Sequence, residues 1–450
     1  MNGPGLPLNP PPGTYDALPP QAQERRRLEA RLRTLFELWG YEEVITPTFE
    51  LDEVVAQAGG QPSGRQTYRF VDRDGQVMVL RPDWTAAVAR LVAGRMRGAP
   101  LPIRLFYVGS VFRYDRRRPD DSREFGQAGV ELMGAQGPVA DAEVMALAWE
   151  SCRQAGIPDP HVEVGHAGYV QALLGQLPVE SAQAARRALV RRDLVAYEAA
   201  LAGAGVPPPA ARALEALVDA RGGVEVVEAA YRACPAGEGQ AALRSVLELF
   251  EHLRALGLED HVAFDLGMVK DLDYYTGAIF EVYAPDGDAS LATGGRYDTL
   301  LGRLGMPLAS TGCAVSLDRV LNTLHALPGR RSRQRSGPQV WIVRGTGPQG
   351  PEQGPPSGAW KLAAALRQSG ISCALDPLAR PLPESLQEAR RAGVEWVAAP
   401  LPEGALSEKG EPALAAASLA DATAAGAGQV AWTAMDLDTF VQKVTRGGPA

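Results

Sequence analysis

In the stretch Phe264–Asp298, a polar and aromatic entry segment (Asp265, Lys270, Asp271, Asp273, Tyr274, Tyr275) leads into alternating Ala278-Ile-Phe-Glu-Val-Tyr283. The chain then turns at Pro285-Asp-Gly287 and returns to Gly294-Gly-Arg-Tyr-Asp298. Period-two alternation about an Asp-Gly turn predicts two antiparallel strands. Glycines at the end of the return strand permit close approach by a ligand or another backbone. So many polar groups on one short entry segment point to a wall of a pocket for a small polar molecule.

The same patterns organise the rest of the chain. Apolar positions Leu28, Leu32, Leu35 and Phe36 recur at helical spacing and predict a helix from Leu18 to about Trp39, stopped by Gly40. Glu42–Pro47 predicts a short edge strand, and Thr67–Leu80 a hairpin about Asp72–Gly75 that runs into Arg81-Pro-Asp-Trp-Thr85 and a further helix. Arg104–Arg113 and Arg123–Gly134 predict a long strand pair. On its return strand Phe125, Gln127, Gly129 and Glu131 share one face. Gln127 and Glu131 together are a second sign of a polar pocket; a solvent-facing sheet surface accounts for the pattern equally well. Helix, strand, then a helical insertion over about 171–258 follow, and Ser310–Leu324 reads as a strand running into a helix. Beyond the basic linker Gly329–Gly337, strand and helix patterns alternate, predicting a small parallel α/β domain with a disordered surface insert at Gly345–Gly358.

Composition narrows the function classes. The 450 residues, 46% hydrophobic and 22% charged, fit two or three globular domains. A net charge of −8 argues against a protein that coats nucleic acid, although a local basic groove is compatible with it. The four scattered cysteines and five histidines have neither disulfide-framework nor metal-ligand spacing, so no metal or cofactor is expected and a reducing cytoplasm fits. The proline-rich start lacks the regions of a signal peptide, and no apolar run approaches membrane-spanning length.

Several separate motifs, in order, carry a resemblance over about Pro11–Ala326. These are Gly40-Tyr…Thr46-Pro47, Phe112-Arg-Tyr-Asp…Arg123-Glu-Phe-Gly-Gln127…Glu131, and Gly312-Cys-Ala-Val-Ser-Leu-Asp-Arg319. With them stand Leu272-Asp-Tyr-Tyr-Thr276 and Gly294-Gly-Arg-Tyr-Asp298. This set resembles the histidyl-tRNA synthetase core of the class II synthetases. The resemblance implies an α+β fold: a class II synthetase-like core (residues 1–335) with a mostly antiparallel sheet flanked by helices, interrupted by the helical insertion. A small C-terminal α/β domain (336–450) resembles a degenerate anticodon-binding domain.

Two families share that core, since fold does not determine function: the working synthetase, and the synthetase-like regulatory subunit of ATP phosphoribosyltransferase. The departures favour the second. Lys270 stands where the synthetase carries an arginine, and lysine lacks the bidentate fork suited to phosphate. Asp120-Asp121 replaces a Gly-Arg turn, and Ser316 replaces a glycine near the nucleotide site, although Arg113 and Arg319 survive. Leu80-Arg-Pro-Asp-Trp-Thr85, Gly165-His-Ala-Gly168 and Leu189-Val-Arg-Arg-Asp-Leu194 resemble the regulatory family. The C-terminal domain is slightly acidic, against the needs of an anticodon reader. The resemblance then implies no catalytic residues and a histidine pocket formed by Asp83, Thr85, Arg113, Gln127, Glu131, Lys270, Tyr274 and Tyr275. It also implies a self-dimer through the core, the short-form catalytic ATP phosphoribosyltransferase subunit as partner in a hetero-octamer, and feedback by histidine. The alternatives are histidine–tRNA ligase activity and a tRNA- or kinase-associated sensor.

Overall fold

A computed structural model of the chain describes residues 8–58, 67–114, 122–202, 204–270, 274–327, 337–343, 357–378, 380–400, 413–419 and 432–446. Asp120, Asp121, Asp271, Asp273, most of the basic linker and most of the 345–358 insert lie outside the described residues. The chain divides into two compact units, residues 1–17 with 24–331 and residues 18–23 with 332–450.

The larger unit holds α1 (Pro19–Leu38) from Glu24 onward, then β1 (Glu42–Glu43), β2 (Phe49–Leu51), α2 (Asp52–Gln57), β3 (Arg69–Val71), β4 (Val77–Leu80) and α3 (Thr85–Arg95). There follow β5 (Ile103–Phe112), β6 (Glu124–Met133), α4 (Pro138–Ala155) and β7 (His161–His166). The insertion comprises α5 (Ala167–Leu174), α6 (Val179–Arg191), α7 (Leu194–Leu201), α8 (Pro208–Ala216), β8 (Arg221–Gly222), α9 (Val224–Ala233) and α10 (Glu238–Ala255). The unit closes with β9 (Val262–Asp265), β10 (Ala278–Tyr283), β11 (Ala292–Arg296), α11 (Leu300–Arg303), β12 (Ser310–Ser316) and α12 (Leu317–Ala326).

Nine strands form one sheet in the order β1-β5-β6-β12-β11-β10-β7-β9-β8, antiparallel except at β1–β5 and β7–β9. The insertion is helical as its pattern predicts, with one difference. At the expected Gly222-Gly223 break it adds the edge strand β8, paired to β9. Period-two alternation sorts the sheet's side chains onto two faces. Phe106, Ala128, Val130, Leu132, Phe280 and Val282 join the main core with α1, α4 and α10. Leu105, Tyr107, Phe125 and Met133 point the other way, into a second core with α3, Tyr274 and Tyr297.

The two glycines of the return strand accommodate backbone. A Cβ on Gly294 would meet the Gly312 carbonyl, and one on Gly295 (φ +156°) would come within 2.6 Å of the Ala278 carbonyl. Of the two readings the pattern left open there, the structure selects the neighbouring strands.

The smaller unit holds a five-stranded sheet: β13 (Val340–Ile342), β14 (Cys373–Leu375), β15 (Trp396–Pro400), β16 (Ala413–Ser418) and β17 (Thr433–Asp436). Its helices are α13 (Ser357–Gln368), α14 (Leu382–Arg391) and α15 (Leu437–Arg446). The expected parallel core is present at β14-β13-β15, but β16 and β17 pair antiparallel and make the sheet mixed. Ala413-Leu-Ala-Ala-Ala-Ser418 has neither alternation nor β-branched residues, so nothing local marks it as a strand.

Candidate functional site

Strand register places one row of same-face residues across five strands: Tyr107 opposite Gly129, Gly129 opposite Ala314, Ala314 opposite Thr293, Thr293 opposite Glu281. The middle of the row is small and its ends are large, which hollows the sheet face. Gly129 cannot carry a side chain there, because a Cβ would collide with the Tyr107 ring 2.6 Å away. The resulting cavity of about 190 Å³ is covered by the start of α3 and by the entry segment before β10.

Seven of the eight residues expected in the pocket line this cavity: Asp83, Thr85, Arg113, Gln127, Lys270, Tyr274 and Tyr275. The eighth, Glu131, lies buried beneath them. Its Oε1 accepts from Thr85 Oγ1 at 2.8 Å, and its Oε2 accepts from the Tyr297 hydroxyl. Burial pushes the Glu131 carboxyl up to about 8, and the nearby Asp83 adds to the rise, against the hydrogen bonds that favour its anion. Asp83 is also raised by burial; its opposing partners are the Ala86 and Thr85 backbone N–H groups and the Arg113 guanidinium.

Aromatic packing sets the walls. Trp84 stacks on Tyr107 at 4.8 Å and 9°, with the Arg81 guanidinium 3.6 Å over the indole. Gly109 makes room, since a Cβ there would lie 2.8 Å from Trp84. Tyr274 meets Tyr275 at 4.7 Å and the edge of Tyr297 at 5.6 Å. Arg113 is held by Nε donation to the Pro82 carbonyl at 2.7 Å. The Lys270 ammonium is 2.6 Å from Glu281 Oε1, and Glu281 Oε2 accepts from the Tyr283 hydroxyl at 2.6 Å. Lys270 thus reaches the cavity as a member of an ion pair.

Trp84, Tyr107, Thr293, Tyr297, Gly312, Cys313 and Ala314 complete the lining. Tyr297 had a local signal in Gly-Gly-Arg-Tyr-Asp, and Gly312, Cys313 and Ala314 stand in the motif before α12, whereas Tyr107 and Thr293 had none: only register brings them into the lining. Arg296, in the same motif, turns away from the cavity. It is buried and donates to Asp141 Oδ2, Asp298 Oδ1 and the carbonyls of Ala135 and Gly137, bracing the start of α4.

The histidyl-tRNA synthetase family model matches residues 13–320. An ATP phosphoribosyltransferase regulatory subunit of Desulforamulus reducens is 42% identical over 71% of this chain and 79% of its own length. The chain belongs to the ATP phosphoribosyltransferase regulatory subunit branch of the histidyl-tRNA synthetase family. A histidine–tRNA ligase of Thermococcus kodakarensis is 33% identical over 86% of this chain and 89% of its own. Among solved structures, a Bacillus halodurans protein described as an ATP phosphoribosyltransferase regulatory subunit/histidyl-tRNA synthetase superposes with a TM-score of 0.74. It is 31% identical and covers 84% of this chain and 95% of that one.

Within that family the remaining signature residues have structural duties. Ser316 caps α12 by accepting from the Arg319 backbone N–H at 3.5 Å, and the Arg319 guanidinium holds the Ser290 carbonyl at 2.9 Å. His166, from the Gly-His-Ala-Gly segment, caps α5 through Nδ1, which accepts from the Tyr169 N–H at 3.3 Å. No helix among the described residues is long and apolar enough to cross a membrane.

Proposed function

We propose that this chain is the non-catalytic regulatory subunit of ATP phosphoribosyltransferase and that its 190 Å³ cavity holds free histidine. The observation that carries the reading is the Lys270–Glu281 pair. A cation for an attacked phosphate must be aimed at developing charge, and here the lysine is engaged by a carboxylate of the adjoining strand. The groups suited to a zwitterion with an imidazole remain: Asp83 for the ammonium, Gln127 for the polar head, Glu131 and Tyr275 for the ring nitrogens, and Arg113, Thr85 and Tyr274 closing the walls.

In this reading the subunit works in the cytoplasm. It binds and activates the short catalytic chain, dimerises through its core and assembles with the catalytic chain as a hetero-octamer. Exposed apolar residues, Ile45 after the edge strand β1 and Phe49, Phe70 and Val71 on the separate three-stranded sheet β2-β4-β3, support the core as a self-association surface. The smaller unit is then a relic of a degenerate anticodon-binding domain or a protein contact. Feedback requires that histidine bind one state of the assembly better than another.

Mixing the chain with a short-form catalytic subunit tests the role: turnover should rise, and histidine should suppress it. No rise would remove the reading. Clear histidine-dependent ATP–pyrophosphate exchange by the isolated chain would instead establish ligase activity, the reading that the Thermococcus relative keeps open.

A further inference from the structure

A second cavity, of about 240 Å³, lies between the insertion and the main sheet. The turn from α6 to α7, β8 and the segment leading to Lys270 form its walls, and its charged lining comprises Arg192, Asp193, Arg221, Asp265, Lys270 and Glu281.

The carboxylates on the sheet side are already engaged. Asp265 accepts from the Gly267 N–H at 3.0 Å and from Arg221 at 3.0 Å; Glu281 accepts from Lys270 and Tyr283. Asp193 caps α7 by accepting from the Ala196 N–H at 3.0 Å. The guanidinium of Arg192 has, among the described residues, no hydrogen bond or ion pair, yet its charge acts on both Lys270 and Glu281. A guanidinium offers five donors and an ammonium three. Arg221 and Lys270 are each engaged by a carboxylate, which leaves Arg192 as the cation of this lining whose donors are unused among the described residues. Arg192 is the left-handed C-cap of α6 (φ +53°), at the turn into α7.

We propose that this second cavity binds a small organic or inorganic anion, a carboxylate or a phosphate, held by Arg192 and Arg221 with Lys270 on the shared wall. The two cavities share Lys270 and otherwise have different linings, and the proposal does not rest on what the sheet-face cavity holds.

Calorimetric titration of the full chain in low-chloride buffer, with inorganic phosphate and with malonate as separate probes, tests it. Saturable binding of phosphate assigns a phosphate-type ligand and of malonate a carboxylate-type one. Neither binding overturns the proposal. Arg192→Gln changes an exposed side chain and should weaken the bound probe at least about 10-fold with the melting temperature unchanged. Wild-type affinity in that variant overturns the proposal. Arg113→Gln, which removes a cation lining only the sheet-face cavity, should leave anion binding intact; an equal loss there would put the anion in the sheet-face cavity and overturn the assignment.

Discussion

The Lys270 ammonium and the Glu281 carboxylate, 2.6 Å apart, join the entry segment to β10 at a point where both charges are largely withdrawn from water. Removing one partner of such a pair leaves the other uncompensated, while replacing both by apolar groups is close to neutral. Glu281→Ala should therefore cost about 3 kcal/mol in urea unfolding, the low end for a broken buried pair. The double variant Lys270→Met with Glu281→Leu should recover most of that loss. Equal destabilisation by the single and double variants would show that the pair is not what holds this segment.

Gly312 sits on β12 directly opposite Glu131. A Cβ there would collide with the Glu131 carboxylate and stand 2.7 Å from the Val130 carbonyl. Gly312→Ala should displace the carboxylate, weaken histidine binding at least about 10-fold and cost about 1–3 kcal/mol of stability, as overpacking does. Calorimetry and urea unfolding on one preparation separate the two effects. Unaltered histidine affinity would mean that Glu131 does not touch the ligand.

Proton counting at Glu131 gives a pH signature. Its carboxyl is pushed up to about 8, and free imidazole titrates near 6.5. If the bound pair is carboxylate with imidazolium, it holds one proton, as the separated partners together do between about pH 6.5 and 8. Histidine affinity should be flat across that window. It should fall below it, where a proton must leave, and fall between pH 8 and 9, where one must be taken up. Glu131→Gln should abolish the decline on the alkaline side; its persistence would assign that proton to another group.

His166 is held neutral in the fold: burial, with the charge of Arg296 as a smaller cause, lowers it to about 4 from an ordinary 6.5. Between those values the unfolded chain binds the extra proton, so stability should decline as pH falls from 6.5 toward 4. The loss from this group is on the order of 3 kcal/mol. A variant that keeps a cap for α5 without titrating, His166→Asn, should show a shallower decline over that window in urea unfolding. Identical slopes for the two proteins would rule out this histidine as the source.

Much of the site was legible in linear order because its residues sit in short motifs with local meaning. Asp83 and Thr85 flank the start of α3, Gln127 and Glu131 share a strand face, and Tyr274 and Tyr275 precede a hairpin. Strand alternation settles that Gln127 and Glu131 point together; the others meet them only in the fold. The helical insertion was legible for a similar reason, since its apolar spacing is repeated over many turns. The Ala-rich strand β16 was not, because its pairing depends on neighbours far along the chain.

Hydrophobic period thus determined the helices and the antiparallel strands, and the motifs, through the family they resemble, most of the residues around the cavity. The tertiary structure decided what those residues do. Register set Tyr107, Gly129, Ala314 and Thr293 in one row and so created the hollow. Packing turned Arg296 toward α4 and Lys270 toward Glu281. The orientation and charge state of a buried ionisable group depend on the partners and the desolvation it meets in three dimensions, and neither is written in its sequence neighbours.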